Sequence, residues 1–175
     1  MLKLTNTLTG KTTSFSPLQS GHVRMYVCGI TPYAPSHLGH ARCYVTFDVL
    51  YRLLKFFKYT VTYCRNFTDI DDKLLMKAQQ EFDNPLRYKD IAERNIAHFH
   101  RDMTLLGCLA PTYEPRVTEH IPQIIEFIAA LIEKEYAYQV GNDVYFRVHW
   151  FAEYGKLSKQ NIEQLCVGVR VEIKE

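Results

Sequence analysis

The chain has 175 residues, 47% of them hydrophobic and 23% charged, with a formal net charge of +2. That is long enough for one domain with a sizeable core, and the composition is ordinary for a globular protein. The charge surplus is too small to argue nucleic-acid binding by itself, and no apolar run approaches the length of a membrane span, so no membrane partner is expected.

The five cysteines (Cys28, Cys43, Cys64, Cys108 and Cys166) are an odd number without a CxxC pair. Met1 to Gly10 is polar and Thr-rich, unlike a signal peptide. A reduced, cytoplasmic protein is expected. Cys43, Cys64, Cys108 and Cys166 read as small buried hydrophobes.

In chain order, residues 1–20 are polar with Thr-Gly and Ser-Pro punctuation, a short hairpin or an arm. VRMYVC, Val23 to Cys28, is a β-rich run that Gly29 ends. Ser36 is a plausible N-cap. From Leu38 the positions Ala41, Val45, Val49, Leu53, Leu54 and Phe57 recur at helical spacing, predicting a helix to about Lys58. TVTYCR, Thr60 to Arg65, is a second strand. Strand, helix and strand make a βαβ unit, hence a parallel pair with a right-handed crossover.

NFTDIDDK, Asn66 to Lys73, leads into a helix from about Asp72 that Asn84-Pro85 breaks. Lys89 to Leu106 is helical, with Ala92, Ile96, Phe99, Met103 and Leu106 on one stripe, closed by Gly107. Pro111 to Pro115 is short and extended. Thr118 is a fair N-cap for a helix over Glu119 to Glu135, buried through Ile121, Ile124, Ile125, Ile128 and Ile132. Gly141-Asn142-Asp143 marks a hairpin. YGKLS is a turn, and the alternation Val167, Val169, Val171, Ile173 predicts a last strand. The expected organisation is an α/β unit over residues 1–135 and a small β-rich appendage over 136–175.

Ligands of α/β sheets bind beyond the carboxyl ends of strands. YVCGITPYAPSHLGHAR, Tyr26 to Arg42, occupies that place. A helix N-terminus there offers free N–H groups to an anion such as phosphate. Gly39 lets a ligand approach without a Cβ. His37 and His40 share a helix face and can donate to charge developing on a phosphate, although histidines at helix starts are also common as caps or surface residues. Cys28 is open to three roles: zinc ligand, nucleophile or core thiol. Asn66 and Thr68 come directly off the second strand and are candidate ligand contacts. Asp69, Asp71 and Asp72 could bind an amino group, but capping of the helix that follows is the favoured reading. Arg116 is a lesser candidate for an anion contact.

These segments together resemble the cysteinyl-tRNA synthetases, which are class I aminoacyl-tRNA synthetases. YVCGITPYAPSHLGHAR resembles their first strand and HIGH signature, written HLGH here. NFTDIDDK, EPRVTEHIPQIIEFI, NDVYF, YGKLS and VGVRVE follow in order over nearly the whole chain. The resemblance implies a Rossmann-type parallel sheet, incomplete here, with a β-rich appendage. It implies ATP-dependent activation of L-cysteine, with magnesium, and transfer to tRNA(Cys). By the same resemblance His37 and His40 are catalytic and contact the ATP phosphates, and Gly39 and Thr31 join them in binding ATP. Gly29, Thr31, Asn66 and Thr68 line the cysteine and adenylate pocket. Cys28 is one ligand of a zinc ion that selects thiol over hydroxyl.

The family's further zinc ligands, its KMSKS signature and its anticodon-binding region are expected beyond residue 175, so the fragment is expected to be inactive alone. ITPY also resembles the ligase that joins cysteine to a glucosaminyl-inositol in mycothiol synthesis, a second reading. A non-catalytic paralogue that keeps the fold is a third.

Overall fold

A computed structural model describes residues 2–162. The strand expected from Val167 to Ile173, and Cys166, lie outside the described residues. Two compact units emerge. One is Pro17–Ile121, and the other joins the described residues before Pro17 to those from Pro122 on. The compact units part at Pro122, whereas the sequence reading set its division after residue 135.

The first unit is built on two parallel strands, β3 (His22–Ile30) and β4 (Thr60–Phe67), joined by helix α1 (Leu38–Phe56). The first two strands, β1 (Lys3–Asn6) and β2 (Lys11–Ser14), belong to the other unit. Along β3 the buried positions are Val23, Val27 and Ile30. The step of three from Val27 to Ile30 breaks the alternation of a strand because the register shifts there, a β-bulge. The strand therefore runs on past Gly29, where the sequence reading had ended it. The segment expected to be short and extended lies along the other edge of β4, with parallel bridges Cys64–Tyr113 and Phe67–Arg116.

Helix α2 (Asp72–Phe82) is capped by Asp71, whose carboxylate accepts the Lys73 N–H at 2.9 Å. Helix α3 is Tyr88–Leu105. Both α1 and α3 pack on the inward residues of β3 and β4: Tyr44, Tyr51, Ile96, Phe99 and Met103 form one cluster with Val27, Tyr63 and Phe67. The α3 stripe is as expected through Met103, while Leu106 is exposed.

The buried face of α1 follows the apolar spacing only in part. Val45 and Val49 are exposed, and Tyr44, Asp48, Tyr51 and Leu54 are buried. Polar groups on that face have partners. The Tyr44 hydroxyl donates to the Cys28 carbonyl at 3.2 Å, and Asp48 accepts from the Leu109 N–H at 2.8 Å and Arg52 Nε at 2.6 Å. Buried Arg65 pairs with Glu114, which also accepts from His100 at 2.8 Å, and its guanidinium lies over the Phe99 ring.

Four further expectations are corrected. Ser36 is not the α1 cap: His37 is, and the buried Ser36 hydroxyl has no hydrogen-bond partner among the described residues. Asp69 caps no helix; it is buried and accepts from the Thr118 N–H at 3.0 Å and the Thr118 hydroxyl at 2.5 Å, tying the segment after β4 to a 3-10 turn over Val117–Glu119. Thr118 is thereby committed to Asp69 rather than to a helix start. In helix α4 (Ile121–Glu133) the residues expected to bury it are not buried among the described residues: Ile121, Ile124, Ile125 and Ile132 are exposed and Ile128 is half-buried. Helical spacing identifies an apolar face but not whether another element covers it.

In the second unit β1 and β2 form an antiparallel hairpin, and β5 (Ala137–Val140) and β6 (Asp143–Phe146) form another around Gly141, as the sequence suggested. No helix among the described residues is long and apolar enough to cross a membrane.

Asp48→Ala should lower the unfolding free energy by about 1–3 kcal/mol, because it strands the half-buried Leu109 N–H. Asp48→Asn, which keeps an acceptor, should lose less. Urea denaturation measures both. An alanine variant as stable as its parent would mean that the Gly107–Leu109 loop is anchored by other contacts.

Candidate functional site

A cleft of about 350 Å³ opens at the carboxyl end of β3. Its walls come from three places: the end of β3 with Cys28, Gly29 and Ile30; the turn with Thr31 and Tyr33; and the start of α1 with His37 and His40. Cys43 and Tyr44 from α1 and Lys73 from α2 complete it. This is the position that parallel α/β sheets reserve for ligands.

The helix start is held by the two histidines themselves. His37 Nδ1 accepts the Gly39 N–H at 3.1 Å, and His40 Nδ1 accepts the His37 N–H at 3.2 Å. This is a reciprocal capping box made of imidazoles. The two rings stack with centroids 3.9 Å apart and planes 19° from parallel. A backbone N–H can only donate, so Nδ1 accepts in both rings. In the uncharged imidazole the proton then sits on Nε2. Burial holds the His40 pKa below the ordinary histidine value, and the neighbouring His37 adds to that. The helix start thus presents two uncharged Nε2–H donors rather than two cations.

Gly39 has a local task. A Cβ there would lie 2.8 Å from His37 Cε1 and 2.9 Å from its Nδ1, so the glycine makes room for the capping ring. Gly39 is not itself among the residues lining the cleft.

At Gly29 the two strands leave no room for a side chain. A Cβ there would sit 1.3 Å from the Asn66 carbonyl oxygen. Asn66 Oδ1 accepts the Gly29 N–H at 2.8 Å and the Tyr26 hydroxyl at 2.8 Å, and its Nδ2 donates to the Thr68 hydroxyl at 3.4 Å. The Asn66 side chain is therefore occupied within the protein. Of the residues expected to form the pocket, Cys28, Gly29, Thr31, His37 and His40 come together, while Asn66 and Thr68 do not line the cleft.

Cys28 is exposed at the cleft with a free thiol. Zinc needs three or four donors. Among the described residues no group of three or more His, Cys, Asp or Glu side chains gathers, so these residues do not make a zinc site by themselves. Arg116, a lesser candidate for anions, is paired with Glu93. Sequence reasoning assigned nothing to Tyr33, Tyr44 or Lys73. The signal for Lys73 was its place at the end of NFTDIDDK, two residues after the cap.

Gly29→Ala should force β3 and β4 apart and cost at least about 3 kcal/mol, the upper end of ordinary overpacking penalties. Gly39→Ala should keep the fold and shift only the His37 ring. Thermal unfolding separates the two cases. An unchanged midpoint for Gly29→Ala would contradict the close approach to Asn66.

Comparison with known proteins gives a consistent result. Residues 14–175 match the family described as tRNA synthetases class I (C) catalytic domain. A cysteine–tRNA ligase of Geotalea uraniireducens is 49% identical over 99% of this chain and 35% of its own length. One of Methanococcus maripaludis is 50% identical over 100% of this chain and 36% of its own. The chain thus spans about a third of the curated relatives it matches. Among solved structures, a leucyl-tRNA synthetase of Agrobacterium radiobacter in a ternary complex with tRNA and LeuAMS aligns with TM-score 0.54 and 22% identity, covering 70% of this chain and 16% of that one. A putative arginyl-tRNA synthetase of Campylobacter jejuni aligns with TM-score 0.54 and 14% identity, over 77% and 39%. At those identities the structures speak for the fold alone. The parallel pair, the cleft at its carboxyl end and the HLGH helix start agree with the match: the chain belongs to the class I (C) tRNA synthetase catalytic domain family.

Proposed function

We propose that this chain is the N-terminal part of an enzyme that activates L-cysteine with ATP and transfers it to tRNA(Cys). The observation that carries the reading is the pair His37 and His40, fixed by mutual capping at a helix start that opens on the cleft. Relatives at about half identity over the whole of this chain bear the name cysteine–tRNA ligase, which supports the choice of amino acid and nucleic acid.

In the proposed first step a carboxylate oxygen of cysteine attacks the α-phosphorus of ATP, and pyrophosphate leaves with its bond electrons. Negative charge builds on phosphate oxygens. Two preset Nε2–H donors and the α1 N-terminus are suited to stabilise that charge without reorganising. Thr31 and the Gly29 backbone are the polar groups of the wall that would meet the amino acid. Magnesium would accompany the triphosphate, as it does wherever phosphoryl oxygens need a counter-ion. Cys28 is proposed as one donor to a zinc ion whose other donors are not among the described residues, and no step is assigned to that ion.

The test is cysteine-dependent exchange of pyrophosphate into ATP by the full natural chain, followed by charging of tRNA(Cys). Exchange should be present, and His40→Ala should slow it roughly a hundredfold to a thousandfold, the usual cost of losing one such donor. Exchange without charging, with amide formation to a glucosaminyl-inositol instead, would transfer the reading to the mycothiol ligase. No exchange would leave a non-catalytic paralogue.

A further inference from the structure

Among the described residues, Lys73 is the only permanently charged side chain that lines the cleft. The other lining residues offer backbone, apolar, hydroxyl, thiol and imidazole groups. Its place is set by local structure. Asp71 caps α2 by accepting the Lys73 N–H, which puts Lys73 in the first turn. The side chain then crosses to Tyr33, with Nζ 5.0 Å from the ring centroid.

Acidic neighbours are plentiful in sequence, yet none pairs with it. Asp69 is committed to Thr118, and Asp71 accepts the cap hydrogen bond. No ion pair to Lys73 forms among the described residues, although eight form elsewhere. A lysine resting on a tyrosine face gains about 0.5–1 kcal/mol and keeps its charge available. The cleft therefore holds two neutral, oriented donors and one cation that has no ion-pair partner among the described residues.

We propose that Lys73, held over Tyr33, binds an anionic oxygen of the substrates. Two sources carry that chemistry, the phosphates of the nucleotide and the carboxylate of the amino acid. The inference rests on the function proposed above and deepens it by adding a substrate-binding residue to the pocket.

The experiment measures pyrophosphate exchange with the full natural chain and its Lys73→Met and Lys73→Arg variants, with ATP and cysteine varied separately. Lys73→Met should raise one KM roughly tenfold to a hundredfold, the usual weight of a hydrogen bond to a charged group. Lys73→Arg should recover most of the loss, and the thermal midpoint should stay near that of the parent. A rise in the KM for ATP assigns the partner as phosphate, and a rise in the KM for cysteine assigns it as carboxylate. Unchanged KM values, or a change confined to the thermal midpoint, overturn the proposal and leave Lys73 as a brace for Tyr33.

If the parent shows no exchange, calorimetric titration with ATP and with cysteine separates the two readings. Binding lost in Lys73→Met keeps the lysine's role while the cysteine-activating reading falls. Equal binding by both proteins, or binding by neither, overturns the lysine's role as well.

Discussion

The cleft depends on one close approach between two backbones. Gly29 lies so near the Asn66 carbonyl that no side chain fits between them. Around that contact β3 bulges, and the alternation of buried residues slips by one. Val27 and Ile30 then both face the core while Cys28 stays exposed. A regular strand would have turned Gly29, not Ile30, inward. The Asn66 side chain secures the bulge by accepting the Gly29 N–H, and the Tyr44 hydroxyl holds the Cys28 carbonyl from the other side. The single peptide group between Cys28 and Gly29 is thus held at its N–H by β4 and at its carbonyl by α1, which sets this part of the cleft wall in place.

The opposite wall follows from α1. An imidazole cap is unusual, since serine, threonine, asparagine and aspartate are the preferred residues there. Here it serves two purposes. It satisfies backbone donors at the helix start, and it fixes which nitrogen of each ring bears the proton. Stacked rings 3.9 Å apart would repel if both were charged, and burial of His40 already disfavours its cation. The fixed positive charge of the cleft is supplied separately, by Lys73. Neutral donors with directed N–H bonds and one cation held over Tyr33 form a division of labour suited to a polyanionic ligand.

Much of this was legible in the residues because the signals are local and periodic. The βαβ order, the cap at Asp71, the break at Asn84-Pro85 and the placing of HLGH at a strand's carboxyl end all come from short stretches of sequence. The differences come from contacts that no short stretch contains. The buried face of α1 is only in part the one that apolar periodicity marks, because Tyr44 and Asp48 are buried while Val45 and Val49 are exposed. Those polar residues enter the core only because Cys28 and Leu109, distant in sequence, supply their partners. Asn66 looked like a ligand contact because it leaves the strand at the right end, yet its amide is used across 37 positions to hold Gly29. The spacing of Ile121, Ile124 and Ile128 marked an apolar face on α4 correctly but carried no information on what lies against it. Lys73 went unassigned because a lysine among aspartates reads as a surface ion pair until the geometry removes its partners.

The central claim is that the cleft meets its ligand with two uncharged imidazoles, each accepting at Nδ1 and donating at Nε2. Nitrogen-15 spectra of the histidine rings in the full natural chain, recorded at neutral pH with and without ATP, test it most directly. The account predicts that His37 and His40 both show an unprotonated Nδ1 and a protonated Nε2, and that ATP shifts the Nε2 resonances while the Nδ1 resonances hold. Rings protonated at Nδ1, or Nε2 resonances indifferent to ATP, would contradict it.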